Sequence, residues 1–278
     1  MIIAVASGKG GTGKTTIATN LAKSIGDGAQ LIDCDVEEPN SHLFLNPRIE
    51  RSEEVYLPNP KVDLSKCTYC GECAKICRFS AIVVIKENVL TFPELCHGCG
   101  GCSLVCPEEA ISEIPKAIGI LEQGKSDSLG FIHGRLEVGE AMSSPLIKAA
   151  RSRAEKNGVV IIDAPPGTSC PVIAAVKGSD FCILVTEPTP FGLNDLELAV
   201  EVVRELGIPS GVVINRSDIG DLEVNKYCQS ASIPILLEIP EDRYIAEAYS
   251  RGIMIIDVIP EYKERFQELF AVIRDKCR

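Results

Sequence analysis

No apolar run in this 278-residue chain is long enough to cross a bilayer as a helix. Runs such as Val159 to Ile162 and Phe181 to Val185 are strand-length, so stable membrane insertion is not expected. Positive charge is also short. With 28 Lys and Arg against 39 Asp and Glu, the net charge of −11 argues against a general nucleic-acid surface, and no nucleic-acid partner is expected. An apolar strand is expected from Ile2, which leaves no room for a signal peptide before it, so a cytoplasmic protein is expected. Thirteen cysteines, an odd number in a chain expected to stay in the cytoplasm, do not read as a disulfide framework. What remains is 45% hydrophobic residues and enough length for one large domain or two smaller ones.

The stretch Gly8 to Thr16 reads GKGGTGKTT and fits G-x-x-x-x-G-K-[ST] with Gly8, Gly13, Lys14 and Thr15 in the fixed places. It follows a strand-like run, Ile2 to Ala6, and precedes helical spacing at Ile17, Ala18, Leu21, Ala22 and Ile25. Gly8, Lys9, Gly10, Gly11, Thr12, Gly13, Lys14, Thr15 and Thr16 thus occupy a strand-to-helix turn. There converging backbone N–H groups and the helix dipole favour a phosphate. Lys14 is expected to reach the β- and γ-phosphates of a nucleotide, and the Thr15 hydroxyl to take a place on Mg²⁺.

The strand Gln30 to Asp33 completes a βαβ unit and ends in Asp33-Cys34-Asp35. Both carboxylates are expected to face the phosphates, with Asp35 the better candidate for orienting water or sensing Mg²⁺ and a helix cap near Ser41 to Leu45 the plainer use. A second acidic strand end, Val159 to Asp163 followed by Ala-Pro-Pro-Gly167, supplies Asp163 as a Mg²⁺ anchor and Gly167 as a backbone donor to the γ-phosphate. Further strands are predicted at Phe181 to Val185, Val212 to Ile214 and Pro234 to Ile239, and a helix at Leu193 to Leu206. Asn215-Arg216-Ser217-Asp218 stands where a base is read. Asn215 suits an adenine edge, yet the tetrapeptide also approximates the N-K-x-D pattern that reads guanine. The end, Pro260 to Arg278, places Tyr262, Phe266, Leu269, Phe270 and Ile273 on one helical face, as expected of a docked core helix with a polar face of mixed charge.

Pro58-Asn59-Pro60 marks a boundary, and the apolar pattern resumes beyond Pro115, where Ile118 to Leu121 and Phe131 to Leu136 are expected to pair around a turn at Gly124 to Ser128. A helix closed by Ser152 to Lys156 is expected to end at Gly158. The division is 1–58, 59–116 and 117–278. The middle part is too short for much of an apolar core and needs metal staples. It holds Cys67, Cys70, Cys73, Cys77 and Cys96, Cys99, Cys102, Cys106, each run spaced C-x₂-C-x₂-C-x₃-C, the second displaced from the first by 29 residues throughout. C-x₂-C pairs also bind zinc, but the duplicated spacing favours iron–sulfur.

These runs resemble the bacterial two-cluster ferredoxins, in which the first three cysteines of a run hold one four-iron four-sulfur cluster and the fourth ligates the other. The resemblance implies one cluster on Cys67, Cys70, Cys73 and Cys106 and another on Cys96, Cys99, Cys102 and Cys77. The usual proline follows Cys106 as Pro107 but is replaced by Arg78 after Cys77. The rest of the chain, through GKGGTGKTT, the DCD strand end, DAPPG and Ile239-Pro240-Glu241-Asp242, resembles the MinD/ParA/Mrp class of ATPases, which includes the nitrogenase iron protein. Together the resemblances imply an α/β fold, a doubly wound, mostly parallel P-loop NTPase sheet with an inserted small α+β ferredoxin-like domain. They imply ATP, Mg²⁺ and two 4Fe-4S clusters as cofactors, and a homodimer, or a heterodimer with a similar ATPase, in which Lys9 reaches the partner's phosphates. The expected function couples ATP hydrolysis to electron transfer through the clusters, with a redox protein as partner. The alternative is a cluster carrier or maturation ATPase that serves an apo iron–sulfur protein. A positional organiser is a weaker third reading, since a basic tail is absent. Mrp-type carriers bear a late C-x-x-C, where this chain has only Cys228. Cys34, Cys170, Cys182, Cys228 and Cys277 read as small apolar or incidental residues.

Overall fold

β1 (Ile2–Ala6) is an uninterrupted apolar run because both its faces are covered, and the turn after it delivers α1 (Lys14–Ile25). The computed structural model describes residues 1–277, so Arg278 of the predicted final helix lies outside the described residues. The chain continues through β2 (Ala29–Asp33), α2 (Ser41–Leu45) and β3 (Arg48–Val62). Then come α3 (Glu72–Ile76), β4 (Ile82–Ile85), β5 (Asn88–Thr91), a 3₁₀ turn (Pro93–Leu95) and α4 (Gly101–Leu104). β6 (Ile111–Ser126), β7 (Leu129–Leu136), α5 (Ser143–Arg151), β8 (Val159–Asp163) and α6 (Cys170–Val176) follow. The last third comprises β9 (Phe181–Thr186), α7 (Pro190–Glu205), β10 (Ser210–Asn215), α8 (Glu223–Ser230), β11 (Ile235–Ile239), α9 (Arg243–Ser250), α10 (Ile255–Val258) and α11 (Glu261–Lys276).

Nine strands form one sheet in the order β11-β10-β9-β1-β8-β2-β7-β6-β3, parallel from β11 to β7 and antiparallel from β7 through β6 to β3. Period-two alternation splits the strand residues between two cores. Ala4, Ile32, Ile162 and Leu184 pack with Leu146, Val172 and Val200 on one face, while Ile3, Leu31, Ile161 and Ile183 pack with Ile17, Leu21 and Phe266 on the other. Tyr262, Phe266, Leu269 and Ile273 of α11 are buried and Phe270 packs beside them, so this helix is docked on the core as expected. No helix among the described residues is long and apolar enough to cross a membrane.

The sequence suggests no strand at 48–57, yet β3 runs from Arg48 to Val62, through the proline pair. It is the edge strand of the sheet, so one row of its backbone groups needs no partner. Pro58 faces Pro115 across the ladder, a pair that exchanges no N–H bond, and the alternation by two gives Pro60 the same kind of site. The β3–β6 ladder thus continues past residues 58 and 117, where the boundaries were expected, to Val62 opposite Ile111. Gly124 lies inside β6 and not in the turn, since a Cβ there would stand 2.1 Å from the Arg48 carbonyl oxygen; the turn is Asp127-Ser128. α5 ends at Arg151, earlier than the predicted stop at Gly158. Residues 63–110 hang on the end of this two-stranded ribbon. Their core is small: Cys73, Ile82 and Ile111 are buried, with Val62, Val84, Val89 and three further cysteines against them.

Candidate functional site

The glycine loop lies at the carboxyl end of β1, flanked by the carboxyl ends of β8 and β9, the sheet edge where open α/β folds bind ligands. Gly13 closes it at φ 95°, and a Cβ there would meet the Asn215 amide nitrogen at 2.6 Å. That nitrogen donates to the Thr12 carbonyl at 3.0 Å, fastening the loop to the end of β10. A cavity of about 410 Å³ opens beside it, lined by Gly10, Gly11, Gly13, Lys14, Thr15, Thr16, Asp35 and Asn215 of the expected residues. Gly8, Lys9, Thr12, Asp163 and Gly167 do not line it. Gly8 is pressed on α7, where a Cβ would fall 2.1 Å from the Asp195 carbonyl oxygen. Lys9 pairs with Glu187 at 3.8 Å within its own chain. The Gly167 N–H donates to the Ser7 carbonyl at 3.0 Å, so in this structure it is not offered to a phosphate.

The two aspartates of the β2 end part company, contrary to the expectation that both face the phosphates. Asp33 is fully buried and accepts from the N–H groups of Asp35, Asn40 and Ser41, at 3.0, 3.2 and 3.0 Å. It caps the loop into α2, the plainer use considered above. Asp35 faces the cavity; burial, then the Asp163 charge, push its carboxyl up to about 6, with Lys14 opposing. Asp163 is buried at the end of β8, takes a hydrogen bond from the Ser41 hydroxyl at 3.2 Å, and sits level with Asp33 on the neighbouring strand. Burial and the Asp33 carboxylate raise its pKa. Its Oδ1 is buried without a partner, an acceptor suited to a hydrated cation at Thr15.

The cavity is also lined by Arg216 and Asp242 of the quoted tetrapeptides and by Glu38, Ile245 and Tyr249, which sequence reasoning did not single out. Asp218 is turned away, its carboxylate accepting from the Glu241 N–H at 2.6 Å. Arg216 bridges Glu187 and Glu241 at 3.3 and 3.1 Å.

The eight clustered cysteines line two separate cavities. One has Cys67, Cys70, Cys73 and Cys106 in its wall; the other has Cys77, Cys96, Cys99 and Cys102. The repeat is visible in the backbone. Left-handed residues recur at the same offset, Tyr69 with Gly98, Gly71 with Gly100 and Ser80 with Glu109. So do N–H donors to sulfur: Tyr69 and Gly98 reach Cys67 and Cys96 at 3.4 Å, and Ala81 and Ala110 reach Cys77 and Cys106 at 3.3 Å. Such donors stabilise thiolates. No three His, Cys, Asp or Glu among the described residues are close enough to hold a single metal ion. Elsewhere, burial drives the Cys182 thiol to about 12 and Cys228 to about 11, as fits inert core residues, while Cys170 is exposed.

A glycine loop between the first strand and a helix, in a parallel sheet with acidic strand ends beside it, defines a P-loop nucleotide-binding protein. The chain belongs to the CobQ/CobB/MinD/ParA nucleotide binding domain family, whose model matches residues 3–255. It is 33% identical to the protein MJ0579 of Methanocaldococcus jannaschii, over 91% of this chain and 90% of that one. An iron-sulfur cluster carrier protein of Pyrococcus horikoshii is 26% identical, covering 91% of this chain and 78% of its own length. Among solved structures, the septum site-determining protein MinD of P. horikoshii in complex with Mg-ADP matches with a TM-score of 0.58 and 21% identity, over 96% of this chain and 93% of that one, a likeness of fold.

Proposed function

We propose that this chain is an Mg²⁺-dependent ATPase that holds two four-iron four-sulfur clusters at the end of its β3–β6 ribbon, nucleotide state altering what the clusters do. The observation that carries it is the crossed partition of the cysteines, since each cavity takes three from one run and the fourth from the other. Four thiolates per cavity match the ligand count of such a cluster. A single zinc ion needs its four ligands converging on one point, whereas each sulfur of a cubane serves its own iron, and the cysteines are too dispersed for one ion. When bound, the clusters supply one-electron chemistry whose potential the N–H···S contacts tune.

At the nucleotide cavity, loop N–H groups and Lys14 take the phosphates, and Thr15, with Asp163 behind it, takes Mg²⁺. Asp35 positions the attacking water. Lys9 leaves Glu187 to reach the partner's nucleotide in a dimer. Adenine is favoured over guanine because Asp218, which an N-K-x-D site would need at the base, is committed to Glu241.

Clusters so held serve electron transfer gated by ATP, or delivery to an apo-protein. The relative named as an iron-sulfur cluster carrier protein favours delivery; ligation of each cluster by four cysteines of one chain favours retention. Anaerobic reconstitution followed by redox titration with and without ATP separates them. A nucleotide-dependent potential supports gating, while potentials indifferent to ATP, with fast iron transfer to an apo-protein, support the carrier.

A further inference from the structure

We propose that Lys116 is the positioning residue through which nucleotide state reaches the clusters, and that it addresses only the cavity of Cys77, Cys96, Cys99 and Cys102; this rests on the coupling proposed above. The connection begins at Asp35 in the nucleotide cavity. The next residue, Val36, is buried, and its carbonyl accepts from the Leu136 N–H at 2.8 Å. Gly134 leaves room for it, as a Cβ there would stand 2.7 Å from the Val36 side chain. Glu137 then donates to the Ile118 carbonyl on β6 at 3.0 Å. The same segment carries Glu140, whose side chain is only 4% exposed and pairs with Lys116 at 2.7 Å. A displacement of the loop at Asp35 is therefore passed to 136–140 through the Val36–Leu136 backbone hydrogen bond and the packing of Val36 on Gly134, and a buried carboxylate fixes Lys116 to that segment.

Lys116 has a second bond, to the Pro93 carbonyl at 3.2 Å. Pro93 opens the 3₁₀ turn that runs into Cys96. The cysteine loop behind it is seated on β3, for a Cβ on Gly98 would lie 2.7 Å from Leu57. Among the described residues the other half of the repeat shows neither attachment. Tyr69, with a full side chain, occupies the position of Gly98, and the position of Pro93 is taken by Leu64, which is 57% exposed. The repeat is symmetric in its cysteines and asymmetric in its ties to the ATPase sheet, and Lys116 is such a tie.

The test is redox titration of the anaerobically reconstituted full chain with and without a non-hydrolysable ATP analogue. Cys70→Ser and Cys99→Ser identify which EPR signal belongs to which cavity. The analogue is expected to change the reduced-to-oxidised ratio of the second cavity's cluster at least tenfold at fixed potential, about 59 mV for one electron. Lys116→Met should abolish that change with iron content, nucleotide affinity and ATP hydrolysis retained, and Lys116→Arg should restore it in part. Glu140→Gln cuts the same tie without touching the cluster segment and should also abolish it, which covers the case in which Lys116→Met disturbs folding. A shift that survives both variants, or that falls on the cluster altered by Cys70→Ser, overturns the proposal for Lys116. No shift in the unmodified chain overturns the gating itself.

Discussion

Gly13→Ala puts a methyl group on a residue at φ 95° and 2.6 Å from the Asn215 amide nitrogen. The left-handed conformation costs an L-residue about 1–2 kcal/mol. Moving Asn215 breaks its 3.0 Å bond to the Thr12 carbonyl, worth about 0.5–1.5 kcal/mol net. The stiffer unfolded chain offsets about 0.4–1 kcal/mol. The net loss is about 1–2.5 kcal/mol, or a fall of about 3–8 °C in Tm for a chain of this size. Thermal unfolding of the ligand-free protein measures it, in the native background and in Asn215→Ala. With Asn215 shortened only the backbone strain remains, so Gly13→Ala should cost about 1 kcal/mol less there. Equal costs in the two backgrounds would refute the contact, and an unchanged Tm would refute the strained loop as well. Nucleotide affinity should fall about tenfold in Gly13→Ala, since the N–H groups that the glycine aligns lose their common focus.

Lys14→Ala is expected to abolish ATP hydrolysis while the visible absorption of the clusters is retained; loss of both would show that the two sites are one structural unit. Cys106→Ser should perturb the EPR signal of the cluster shared with Cys67, Cys70 and Cys73, and a change confined to the other signal would refute the crossed ligation. His133 is buried on β7 with its ring 2.8 Å from Glu122 and against His42; burial depresses its pKa below the usual 6.5, with Glu122 opposing. A histidine held neutral in the folded state contributes stability above that value and loses it as pH falls toward the lower folded pKa. Below about pH 6.5 the native chain should therefore lose Tm relative to His133→Gln, and a pH-independent difference would contradict this. For Lys9, ATP-dependent dimerisation by sedimentation velocity should be lost in Lys9→Ala; a fully active ATP-bound monomer would rule out the reach across the dimer.

The parallel strands were legible because burial on both faces demands continuous apolar runs, as at Ile2–Ala6, Val159–Asp163 and Phe181–Thr186. β3 was not, since an edge strand needs neither a second apolar face nor all its N–H groups, and Arg48–Val62 is rich in charge and carries two prolines. The glycine loop could be read from its spacing, and the crossed cavities were anticipated from a resemblance that the local pattern alone does not contain. The separate fates of Asp33 and Asp35 were beyond the sequence, because the inward turn of Asp33 depends on N–H groups at Asn40 and Ser41 that only the folded loop aims at it. Glu140 and Lys116 carry no motif, and only the register of β6 brings Lys116 within 2.7 Å of Glu140.

The central claim is that two four-iron four-sulfur clusters sit on the sheet of a P-loop ATPase. Iron, acid-labile sulfide and zinc, measured together on anaerobically purified full-length chain, test it most directly. The account predicts about eight iron and about eight sulfide per chain and no stoichiometric zinc. About one zinc per cysteine cavity, with no sulfide, would contradict it.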